Sequence, residues 1–105
     1  MADVKNILTP EEGARVVGTD PQDARLLDVL PQVDAAIRSA TGYDWTQDDT
    51  IKPEAKRAAR LVLALEYDLM SMEQQQIDAL TRAKSEAITA LWMMIQDTDS
   101  GTAVV

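Results

Sequence analysis

Asp44, Asp48 and Asp49 crowd into one short polar stretch, the kind of oxygen-rich cluster that could hold a hard cation. A calcium loop spaces its acids at alternate positions around a glycine, and neither feature is present between them, so the stretch reads as solvated loop charge. Glu66 and Asp68 flank Tyr67 and could be cast as paired acid and base, but residues two apart point to different sides of a helix. With no histidine and no cysteine, the common zinc ligands are missing and a nucleophile would have to be Ser, Thr or Lys. No glycine-bracketed serine or Ser-x-x-Lys arrangement is present. The residues predict a non-enzyme, with no catalytic, cofactor-binding or metal-ligating side chain.

Contact chemistry is better represented. Lys52, Lys56 and Arg60 recur every four residues with Arg57 beside them, a basic patch in an acidic chain. It is either a solvated face paired with neighbouring acids or a charge contact across a subunit or partner interface, where complementary patches set register more than affinity. Ala79, Ala83 and Ala90 make a helix face of small side chains suited to close approach of another helix. Trp92 falls in an apolar stripe and reads as packing, whereas Met93 points away from it as an adaptable contact. Val104 and Val105 end the chain after a polar spacer and could dock on a neighbour by strand addition or in a groove.

The elements that carry these residues follow from composition and punctuation. The chain has 105 residues, enough for one domain with a modest core. Four glycines and four prolines leave long stretches of good helix formers, which predicts an all-α fold, a small bundle of roughly three to four helices. Residues 1–96 form the helical domain and 97–105 a flexible tail. Ten basic against eighteen acidic side chains give a formal charge of -8, which repels a phosphate backbone and argues against tight duplex binding. No apolar run approaches a membrane span and the start lacks signal-peptide order, so a soluble intracellular product is expected.

Thr9-Pro10-Glu11-Glu12 has the form of a capping box with proline in the first turn, and Gly18 ends that first helix. Asp20-Pro21 repeats the start signal for a second helix whose stripe is Leu26, Leu30, Val33, Ile37 and Ala40, closed by Thr41-Gly42. Pro31 inside it predicts a kink or a break. Thr50 is placed to cap a third helix led by Pro53. There Ala55, Ala58, Val62, Leu65 and Leu69 define a face that Ala59, Leu61, Leu63 and Met70 widen, the pattern of a central helix. Ser71-x-x-Gln74 predicts a break before a last helix with the stripe Ile77, Leu80, Ala87, Ile88, Leu91, Trp92 and Ile95.

Three pieces stand in order: Leu8-Thr9 with Glu11 and Glu12, then Asp23-x-x-Leu26-Leu27-x-x-Leu30 running to Ile37-x-x-x-Thr41-Gly42, then Pro53-Glu54-x-Lys56-x-Ala58 running to Tyr67. Together they resemble the head-tail connector (adaptor, or head-completion) proteins of tailed bacteriophages. The resemblance implies a non-catalytic helical protein of the virion. It would be made in the host cytoplasm and assemble as a ring on the portal protein, extending the DNA exit channel. It would dock the next completion or tail protein, with DNA passing without sequence-specific binding. Pro31 departs from the family's uninterrupted second helix, and the last third of the chain matches no family motif. The alternative is a small helical interaction module or antitoxin-like regulator acting as monomer or dimer.

Overall fold

The computed structural model describes residues 6–47 and 50–104, with backbone alone from residue 96 onward. The chain is all-α. Helices α1 (Pro10–Val17), α2 (Ala24–Thr41), α3 (Pro53–Asp68) and α4 (Gln74–Val104) follow one another, with a 3₁₀ turn, Leu69–Ser71, between the last two. No strand occurs among the described residues, and no helix of theirs is long and apolar enough to cross a membrane.

Local chemistry sets most of the boundaries. The Glu12 amide donates to the Thr9 hydroxyl at 3.1 Å and the Thr9 amide to the Glu12 carboxylate at 2.9 Å, closing the expected box around Pro10. Gly18 and Gly42 end α1 and α2 with φ of 70° and 76°, the left-handed conformation that costs a side-chain-bearing residue most. Pro31 does not break α2. It lies exposed, on the side where the carbonyl it leaves without a partner can face water.

Several boundaries differ from the sequence reading. Asp20 does not cap α2; its carboxylate accepts the Gln22 amide at 2.8 Å and its carbonyl the Asp23 amide at 2.9 Å, making a turn. The cap is Asp23, whose carboxylate accepts the Leu26 amide at 3.1 Å and the Tyr67 hydroxyl at 2.7 Å. Asp23→Ala should therefore cost about 1–2 kcal/mol and Asp20→Ala at most about half a kcal/mol. Equal shifts of the two urea midpoints would return the cap to Asp20. At α3 the N-cap position is held by Lys52, with no side-chain cap, rather than by Thr50. The break before α4 is present, but the Ser71 hydroxyl donates to the Asp68 carbonyl at 3.1 Å instead of capping α4. Asp48 and Asp49 lie outside the described residues.

α3 is the central helix, packing against α1, α2 and α4, while α1 and α4 also lean on α2. Leu26, Leu30, Val33 and Ile37 from α2 meet Ala55, Ala58, Ala59, Val62, Leu63 and Leu65 from α3, with Ala87 and Leu91 from α4 closing the core. Gly13 lets α1 approach: a Cβ there would lie 3.0–3.3 Å from the side chains of Leu26, Leu30 and Leu63. The predicted stripes err at their ends. Ala40 is exposed and Thr41 takes its place inside. Leu69 is 47% exposed and Met70 95%, because the 3₁₀ turn advances about 120° per residue and swings both off the α3 face. Trp92 is 47% exposed, since it sits about 100° round the helix from the buried Leu91.

The loop after α2 is anchored by Trp45, 3% exposed. Its indole N–H donates to the Thr41 hydroxyl at 3.1 Å, that hydroxyl donates to the Ile37 carbonyl at 2.9 Å, and the ring meets Tyr43 edge-on at 4.6 Å. The backbone of α4 carries on through 97–104, the stretch read above as a tail. Side chains there are outside the described residues, and so is the docking expected of Val104 and Val105.

Candidate interaction surface

The residues of the basic patch do not act together. Lys56 turns back onto α1, its ammonium 2.6 Å from the Glu12 carboxylate and 3.3 Å from the Ile7 carbonyl. Burial alone would push Glu12 up and is the largest single influence on it. The Lys56 ammonium and the Thr9 amide together outweigh that and hold Glu12 below the usual range. Lys56 is thus a structural tie between helices. Lys52, Arg57 and Arg60 remain exposed and make no ion pair among the described residues.

The structure adds Arg15, which the sequence reading passed over because it belongs to another helix. α1 lies alongside α3, and Arg15 and Arg60 line one open groove of about 350 Å³ together with Val16 and Glu12. Since Glu12 is already matched by Lys56, the two arginines set the charge of the groove. Two guanidiniums on neighbouring helices can take a carboxylate in bidentate fashion.

The charges of α3 run against its own dipole. Cations near a helix C-terminus and anions near its N-terminus each gain about 0.3–1 kcal/mol. Glu54 obeys this in the first turn, yet Lys52 and Lys56 flank that turn while Glu66 and Asp68 sit at the other end, where α3 has no basic residue of its own and Arg25 of α2 supplies the cation. Tyr67 between those acids is structural. Its hydroxyl donates to Asp23, and the Arg25 guanidinium lies 4.6 Å over its ring and donates to its carbonyl at 2.7 Å. The acids therefore frame a tether to α2.

On α4, Ala79 and Ala90 are exposed and Ala83 is half-buried, and Met93 is 57% exposed, away from the core. The four lie on one flank of the helix, apart from the arginine groove on α1 and α3.

A second hollow, about 170 Å³, is lined by Asn6, Pro31, Asp34, Ala35, Arg38, Asp44 and Thr46. Asp34 accepts the Ile7 amide on both oxygens, at 3.1 and 3.3 Å. Burial, with help from the Asp44 charge and against the Ile7 amide and Arg38, pushes Asp34 up to about 6. Asp44 itself is held below the usual carboxylate range by the Thr46 hydroxyl and amide. A carboxyl raised on folding stabilises the fold fully below about pH 4, and that contribution is lost as pH climbs through about 6. Asp34 is only partly buried, so roughly 1 kcal/mol is at stake after screening. Asp34→Asn keeps an acceptor for Ile7 and should flatten that part of the stability profile. Identical slopes for the variant and the parent between pH 4 and 7 would remove Asp34 from the account.

Among the described residues no three or more carboxylates gather in a way that could hold a metal ion. No family model matches the chain, and neither a curated protein nor a solved structure matches it.

Proposed function

We propose that the chain is a head-tail connector of a tailed bacteriophage or prophage, a virion protein that assembles as a ring on the portal and docks the next completion or tail protein. One observation carries the reading. The three sequence pieces that resemble the family coincide with three structural events: the Thr9 box opening α1, the Thr41-Gly42 stop of α2, and the Pro53 lead into the central helix. The exposed arginine groove and the exposed Leu69 and Met70 add surfaces that a monomer's own core leaves unused. No catalytic step is assigned to the chain. Its charge of -8 suits a channel wall past which DNA slides without being read.

The test is co-expression with the portal protein of the same genome, followed by affinity purification and electron microscopy of portal-bearing particles. A collar of density on the portal, dependent on this chain, is expected. A source genome without a portal gene, or particles that never bind the chain, would overturn the reading.

A further inference from the structure

The two ends of α3 differ in sign: Lys52, Arg57 and Arg60 are exposed towards its start, and Glu66 is exposed near its end. The basic end carries the groove of Arg15, Val16 and Arg60, with Arg57 exposed one turn away. At the acidic end, Met70 is 95% exposed and Leu69 47%, and the exposed carboxylates of Glu66 and Glu73 flank them. A methionine so bare, with Glu66 four residues before it and Glu73 three after, is a small apolar knob flanked by acids, and Arg25 at that end is already engaged with the carbonyl and ring of Tyr67. The groove has the opposite sign and the half-buried Val16 on its wall.

We propose that the Leu69–Met70 tip of one copy docks head to tail in the Arg15–Arg60 groove of a second copy, its Glu66 and Glu73 facing the two arginines. A second copy is the occupant because one chain carries both halves, opposite in sign and each with an apolar centre. One copy cannot satisfy itself: Arg60 and Met70 are about 15 Å apart along the helix axis. Contacts between two different patches of the same chain are heterologous, the kind that closes into rings when the rotation per copy allows. The inference deepens the connector reading and rests on it for closure into a ring.

The experiment uses sedimentation velocity on the full chain from micromolar to near-millimolar concentration, with two charge-reversed variants, Arg15→Glu/Arg60→Glu and Glu66→Lys/Glu73→Lys. None of these four side chains has a bond partner among the described residues, so both variants should keep the parent's helical circular dichroism, with a small drop in melting temperature for Arg15→Glu/Arg60→Glu because Arg15 sits in the last turn of α1. The parent should self-associate in a salt-sensitive way. Each variant alone should associate more weakly by on the order of a hundredfold. Mixing the two should restore association, since the acidic groove of one then meets the basic tip of the other. A parent that stays monomeric, variants that sediment like the parent, or a mixture that fails to recover each overturns the proposal. Portal binding without this contact would leave the connector reading standing, and this contact without portal binding would leave the head-to-tail interface standing alone.

Discussion

Leu63→Ala should destabilise the protein by about 3–5 kcal/mol, the upper part of the range for a buried leucine. Leu63 is fully buried on the central helix, and the absent side chain of Gly13 brings α1 directly against it. Removing its terminal isopropyl group opens a cavity between three helices. Closing that cavity would require α1 to slide, and the Lys56–Glu12 pair and the Ile7–Asp34 hydrogen bond oppose such a movement. Leu65, 8% exposed, should cost less than Leu63, and Leu69→Ala no more than about half a kcal/mol. Urea unfolding at an unchanged slope reads all three. Similar midpoints for the Leu63 and Leu69 variants would mean that α3 is rotated from the facing described above.

Trp45→Ala should have a comparable effect, about 3–5 kcal/mol. Two contributions combine. The indole leaves a large void beside the end of α2, and the Thr41 hydroxyl loses the donor that held it in place against the Ile37 carbonyl. Trp45→Phe should recover most of the packing without the hydrogen bond, separating the contributions by roughly 1 kcal/mol. A calorimetric scan of the three proteins decides it. An alanine variant that melts with the parent would show that the loop is a bystander.

Helix starts and stops written in adjacent residues were legible in the sequence. The Thr9–Glu12 box, Gly18, Gly42 and Pro53 act within a few residues of themselves, so their chemistry needs no knowledge of the rest of the chain. Where two local signals compete, a distant partner decides. Asp20 and Asp23 both precede α2, and Asp23 is the one that the Tyr67 hydroxyl reaches from α3. Trp45 escaped notice because a lone aromatic in a polar loop has no period to reveal its facing. Met70 and Trp92 were misassigned for a related reason. A pattern extrapolated at 100° per residue fails where the helix tightens, as at Met70, and a stripe drawn one residue too wide takes in a side chain that faces water, as at Trp92.

The candidate surface was half legible. Arg57 and Arg60 stood out by spacing, and so did Lys56, but spacing alone could not say that Lys56 is occupied by Glu12, forty-four residues away in the chain. Arg15 could be found only by placing α1 beside α3.

The segment that enters α1 is held by bonds of long reach. The Ile7 amide bonds to Asp34, 27 residues on, and its carbonyl to Lys56, 49 residues on. An eight-residue helix such as α1 has no independent stability in water. Neither the segment nor α1 can settle before α2 and α3 have met, because closing those loops earns nothing until both walls exist. Interactions formed after the rate-limiting step slow escape from the native basin and leave the climb towards it unchanged. Residues 6–17 thus act on the lifetime of the folded chain and hardly at all on the time it takes to fold.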